Sequence, residues 1–467
     1  MPSRLTRHLV WTSPQLATTY SEAAHLELLA VAPAVEALHL DLALPPREKA
    51  IYLLHIGAQV EHALMAQYFY AASSLGGPHL KDPNQQRNAK QWRDVIVKIA
   101  REEMGHLATV ENLLTLVGGP LMFEREDYPI PKDLYPFDFE LEPLTKKSLG
   151  KYVLAEMPAE SVVASLGLTS EIDAIRSYVG GDAQKESLSV HRVGLIYEAI
   201  QSLFQGATIT QEPPEKPHVF VESQDISSDS KRFQARPEQW GLGYSEMLIE
   251  TAVDRASAKS AIQAIATQGE GSTIADLPSS HFGRFLEIYR RFPDEGDWRP
   301  ARQVARNPTT NREAPEDRRI TNSESLLWAK LFNIRYRMLL MFLKHSFCIE
   351  APNGTSETTP RGLLISWSFG EMYNLRSISD ILMSLPMRDS EKEPLAGPPF
   401  EMPYTLSLST REPGRWRQHR DLISASQHYV NQLRKRKSGR ESYLLGMEQA
   451  NGEALTQISA LLGGIPS

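Results

Sequence analysis

Residues 101–120 read REEMGHLATVENLLTLVGGP, and the first six of them decide the fold. Glu103 and His106 stand three apart, so on a helix they share one face. That face continues through Ile96, Ile99, Val110, Leu113 and Val117, an apolar stripe that belongs in a core. A buried carboxylate is strongly unfavourable unless it is paired, protonated or bound to a metal. Glu102 falls with Lys98 and Thr109 and is expected to face solvent. Gly118-Gly119-Pro120 stops the helix, which the pattern places at about 89–117.

The preceding helical pattern, about 47–75, repeats the anomaly. Glu61 shares its face with Leu54, Gly57, Ala58, Leu64, Met65 and Tyr68, so it points into the core. His55, Gln59 and His62 fall on a more polar face. An inward Glu on one helix and Glu-x-x-His on its neighbour is the spacing by which helical bundles hold iron or manganese. Oxygen and imidazole donors suit these metals and also zinc, and no thiolate is on offer. The competing reading is a buried Glu–His or Glu–Arg pair that only holds the core together.

A bundle site needs donors from further helices. Glu156 closes a short helix at 145–157. Glu198, with His191 on the same side, lies in a helix at about 184–205. In Gln268-Gly269-Glu270-Gly271 the flanking glycines let the backbone bend and turn Glu270 inward, and His281 opens the helix at 281–291. Tyr68, Tyr152 and Tyr197 are candidates to orient ligands.

Outward from this region the chain stays helical. A short helix is expected near Ser21–Ala37, and others at about 244–268, 323–348, 362–385 and 415–436. Few segments alternate with period two, so the class is all-α. The divisions are an N-terminal extension (1–44), a metal-binding bundle (45–292), a turn-rich linker (293–322) and a C-terminal helical region packed on the bundle (323–467). Arg335, Arg337, Glu371 and Arg376 interrupt the apolar C-terminal helices. They read as a buried Arg–Glu pair or as an arginine that takes a carboxylate.

The formal net charge of -7 over 467 residues argues against a nucleic-acid binder. The run Arg434-Lys435-Arg436-Lys437 reads as a solvated helix end. The one cysteine, Cys348, reads as a small buried hydrophobe. No signal segment and no membrane-length apolar run is evident, so a cytoplasmic protein is expected. No phosphate-binding glycine loop or nucleophile elbow is present.

The blocks VEHALMAQYFYAA (60–72), REEMGHLATVENLLTLVGGP (101–120), ATQGEG (266–271) and SSHFGRF (279–285) resemble the ferritin-like domain of the iminophenyl-pyruvate dimer synthase family. That family includes imine-coupling enzymes of violacein and indolocarbazole biosynthesis. LFNIRYRMLLMFL (331–343) and AGPPFEMPY (396–404) are similar to the region C-terminal to that domain in such proteins. The resemblance implies a ferritin-like four-helix bundle with additional C-terminal helices, whose metal ligands are drawn from Glu61, Glu103, His106, Glu156, Glu198, Glu270 and His281. One departure is Leu195, at a position often acidic in such proteins. Either Glu198, one turn on, takes over, or the site is incomplete.

The function expected is a nonhaem metal oxidoreductase of secondary metabolism. It would carry two irons, with one iron or manganese as alternatives. Its partners would be a small amino-acid-derived metabolite and dioxygen or peroxide, with no nucleic acid and no membrane; a homo-oligomer is allowed. The alternatives are an imine-coupling enzyme or its partner domain, and a ferritin-like protein that binds metal without catalysis. Fold analogy does not choose among them.

Overall fold

A computed structural model describes residues 8–12, 37–40, 42–130, 137–180, 193–205, 225–227, 229–240, 247–271, 273–294, 296–351, 359–389, 394–437 and 439–464. Two short strands, β1 (Leu9–Thr12) and β2 (Ala37–Leu40), pair antiparallel. The helix expected near Ser21–Ala37 lies outside the described residues except for Ala37, which is in β2. Every other regular element among the described residues is helical.

The two long helices that open the bundle are α1 (Pro46–Ser74) and α2 (Pro83–Leu116), packed along each other. Each begins with proline in its first turn, where a missing N–H costs nothing. Asp82 caps α2 by accepting from the Asn84 N–H at 2.7 Å. The chain leaves α2 through Gly118, at φ 65°.

Four smaller helices come next: α3 (Lys146–Ala155), α4 (Glu160–Ser165), α5 (Thr169–Gly180) and α6 (Val193–Gln205). After the one-turn α7 (Pro237–Trp240) come α8 (Arg255–Gly269) and α9 (His281–Arg291). Asp254 and Ser257 form a reciprocal cap on α8, and Ser280 caps α9. Helix α6 packs on α1 and α8, and α9 packs on α3.

The C-terminal half is a second helical layer: α10 (Ser323–Ser346), α11 (Pro360–Leu382), α12 (Glu412–Lys435) and α13 (Glu441–Gly464). Residues 293–322, expected as a linker, run against both halves. Arg302 N–H donates to Ser74 O, Asn307 N–H to Leu141 O and Ala305 N–H to Leu395 O. Arg335 and Glu371 form the buried pair expected, at 2.7 Å. Arg434 closes α12 on Glu448. No helix among the described residues is long and apolar enough to cross a membrane.

Candidate metal centre

The bundle places five of the expected side chains in one buried cluster. Glu61 comes from α1, Glu103 and His106 from α2, Glu156 from the C-cap of α3, and His281 from the first turn of α9. All five are at most 3% exposed. One donor atom each from Glu103, His106 and His281 lies within 4.8 Å of the other two. His106 Nδ1 is 2.8 Å from Glu103 Oε2 and 3.4 Å from Glu61 Oε2. His281 Nδ1 is 2.9 Å from Glu103 Oε1 and 3.7 Å from Glu156 Oε2.

Local sequence explains the convergence. The spacing of three sets Glu103 and His106 on one face of α2. Gly105 between them lets the backbone of the segment around Leu248 lie against α2, where a Cβ would strike the Leu248 carbonyl. Thr109, one turn on, seals that contact by accepting the Glu250 N–H at 3.0 Å. The Ser280 cap starts α9 so that His281 points inward from its first position.

Four of the five ligand candidates are braced from behind. Tyr197 donates to Glu61 Oε1, and Tyr68 donates to Glu156 Oε1 at 2.5 Å. His106 Nε2 donates to Gln268 Oε1 at 2.8 Å. His281 Nε2 donates to Glu102 Oε2 at 3.1 Å, and Glu102 is also bound by Arg284. A carboxylate or amide behind a ring fixes which nitrogen faces the centre. The expectation that Glu102 faces solvent is therefore corrected: it is 3% exposed. Its partners come from α9, far along the chain. His62 is likewise buried, bonded to Tyr336, rather than on a polar face.

Electrostatically the cluster attracts cations. Burial and the neighbouring Glu103 push the Glu61 carboxyl up to about 8. Burial disfavours charge on His106, yet Glu103 and Glu61 overcome it and lift the ring to about 10. His281 is raised in the same way, against burial, by Glu103, Glu102 and Glu156. Burial also opposes the charge on Glu103, but His281 and His106 hold it well below the usual carboxylate range. The negative field of the carboxylates is what favours protons on both rings.

The remaining candidates divide. Glu270 is the C-cap of α8, half-buried, with its carboxylate against Gly194 of α6; a Cβ at Gly194 would collide with it. Gly269 beside it faces the Glu156 carboxylate. Glu198 is exposed, so it stands outside the buried cluster. Helix α6 turns Leu195, Ile196 and Tyr197 inward, and one further residue swings the side chain about 100° away. His191 lies outside the described residues.

The donor set fits a metal. Glu61 Oε2, Glu103 Oε1 and His281 Nδ1 are buried without a well-formed hydrogen bond; the last two lie 2.9 Å apart, and Glu61 Oε2 lies 3.4 Å from His106 Nδ1. Buried polar atoms rarely lack partners. Carboxylate oxygens with imidazole nitrogens suit iron, manganese or zinc.

Comparison with known proteins agrees with this architecture. The chain is 26% identical over 433 residues to dichlorochromopyrrolate synthase of Lentzea aerocolonigenes, covering 85% of this chain and 40% of that protein. It is 24% identical over 388 residues to 2-imino-3-(indol-3-yl)propanoate dimerase of Chromobacterium violaceum, covering 75% of this chain and 33% of that protein. The chain thus spans well under half the length of these curated relatives. A solved ferritin-like protein from Caulobacter vibrioides aligns with 71% of this chain and 96% of its own, at 15% identity and a TM-score of 0.40. The ferritin-like family matches residues 54–290, half of the sequence and the whole stretch that carries the cluster, and the chain belongs to that family.

Proposed function

We propose that this protein is a nonhaem metal-dependent oxidoreductase, with iron as the metal and two ions as the count, acting on a small amino-acid-derived metabolite of secondary metabolism. The observation that carries the reading is the buried group of Glu103, His106 and His281, one donor atom of each within 4.8 Å of the others, with Glu61 Oε2 3.4 Å from His106 Nδ1. Glu61, Glu103, His106, Glu156 and His281 would hold the metal. Glu270, whose carboxylate passes over Gly194, would supply the acid that Leu195 does not. Bound iron would supply electron exchange with dioxygen or peroxide.

The chain's own residues set the conditions for that chemistry. Tyr197 and Tyr68 hold the Glu61 and Glu156 carboxylates in place. Gln268 and Glu102 keep the two imidazoles turned toward the centre. Tyr68, Tyr152 and Phe285 pack ring against ring at 4.8–5.5 Å and exclude water from one side. Gln268, behind His106, also lines an open depression with Leu248, Lys259, Gln263, Thr267 and Ser279.

A second reading is imine coupling, which the names of the two curated relatives favour. A third is a bundle that binds metal without turnover. Elemental analysis of anaerobically iron-loaded protein, wild type beside His106→Ala, tests the metal. We expect about two irons per chain, lost in the variant. A spectral change on admitting dioxygen then separates an oxidoreductase from a silent metal binder. No metal in either protein would overturn the proposal.

A further inference from the structure

A second cavity lies away from the cluster, between the bundle and the C-terminal layer. Met65, Ala66 and Phe69 of α1 and Val97, Ala100 and Met104 of α2 form one wall. Tyr336 and Leu339 of α10, Met372 and Tyr373 of α11, and Phe400 form the other, and the groove between them opens to solvent. None of the cluster residues lines it. Small-molecule sites are commonly mostly apolar clefts with a few placed polar groups.

The far wall is rigid. The Tyr336 hydroxyl is held by His62 and by the Arg125 guanidinium, at 3.1 Å for the latter. Arg125 also donates to Phe400 O at 2.6 Å, and the Tyr336 and Phe400 rings meet edge to face at 5.2 Å. A ring clamped from behind presents a fixed flat surface to whatever lies in the groove. The methionines on the near wall adapt to the occupant's shape.

The charge in the lining has one sign. Arg101 and Arg376 are its charged residues, and no acidic residue lines it. Arg376 is exposed at the mouth, near Tyr373, which is 56% exposed. The acid one turn along α11, Asp380, is already taken by Arg93 at 2.6 Å. Nothing among the described residues pairs with Arg376. An exposed guanidinium at the end of an apolar slot matches a carboxylate on an apolar body.

We propose that this groove binds an amphipathic monocarboxylate, its apolar body between Phe69, Tyr336 and Phe400 and its carboxylate on Arg376. The site stands whether or not the cluster binds metal, so it is tested on metal-free protein. Calorimetric titrations would use decanoate and 3-(2-naphthyl)propionate, each beside its primary amide. We expect both acids to bind more tightly than their amides, with a negative heat-capacity change. Arg376→Glu, at an exposed position that leaves folding alone, should weaken the acids about tenfold or more and the amides less than about twofold. Met372→Trp, which fills the slot, should weaken acids and amides alike, with an unchanged melting temperature showing that the fold is intact. Tighter binding of the naphthyl acid assigns an aromatic body, and tighter binding of decanoate an alkyl one. Absence of binding by either acid, equal affinity for acid and amide, or indifference to Arg376→Glu overturns the assignment.

Discussion

Glu102 and Glu103 are neighbours with different tasks. Glu103 faces the cluster, while Glu102 faces the back of His281 and the Arg284 guanidinium. Glu102→Gln should lower metal affinity about 10–100-fold while leaving the saturated metal count unchanged, because such orienting groups act through the ligand. Titration against a competing chelator checks both quantities, and a lower count would make Glu102 a ligand itself. Glu111, further along α2, offers a separate test. It is fully buried, and both oxygens accept the Met122 N–H at 3.1 Å. Burial pushes its carboxyl up from 4.5 to about 8. A raised folded value means stability is full below the unfolded value and is lost as pH rises through the folded one. Wild type should therefore lose a few kcal/mol, by order of magnitude, between about pH 5 and pH 9. Glu111→Gln should flatten that loss in urea melts at the two pH values. At this scale the sequence is a partial guide. Glu61, Glu103 and His106 are legible because they interrupt apolar stripes on their own helices. Glu102 is not, because Arg284 and His281 are supplied by a distant helix. Glu198 is exposed, because one residue's rotation on a short helix decides between inside and outside.

Helices are legible where their periodicity is strong and less so at their ends. The bundle helices α1 and α2 are both anticipated, but α2 begins at Pro83, earlier than its apolar stripe, because Asp82 and Pro83 start it. Helix α13 is not anticipated. Its glycines at 446, 452 and 463 and its polar residues resemble a loop, and it is fixed instead by packing of Leu444, Met447 and Ile458. Helices α4 and α5 escape for a related reason: they are short and carry few buried residues. A contact sensitive to substitution beside the cluster is that of Gly105 with Leu248. Gly105→Leu should cost about 1–3 kcal/mol or more through overpacking. It should also reduce metal content, since Glu103 and His106 flank the displaced backbone. Thermal melts read the first effect and elemental analysis the second. A melt shift with metal content untouched would mean that α2 gives way elsewhere.

Across the whole molecule, the two layers meet through polar groups as well as apolar ones, and Arg335 is a buried cation that ties the C-terminal layer together. Arg335 of α10 reaches α11 and α13, donating to Glu371 Oε1 at 2.7 Å and to Asn451 Oδ1 at 2.6 Å. Removing one member of a buried pair strands the other charge. Arg335→Met should destabilise the protein by about 3–5 kcal/mol, and adding Glu371→Leu should recover much of it. Denaturant melts of the single and double variants check this, and additive losses would refute it. The Arg335–Glu371 pair is legible because both residues break apolar helices. The groove beside it is not, because its walls come from four helices and Phe400, which no local pattern brings together.

The hydrogen bond between Asn451 and Arg335 also bears on the order of synthesis. Translation delivers Arg335 116 residues before Asn451, the second acceptor, arrives on α13. Until Asn451 emerges, one arm of a guanidinium destined for the interior has no acceptor but water. Helix α13 thus acts as a latch on the C-terminal layer: only when it docks on α10 is water shut away from the guanidinium.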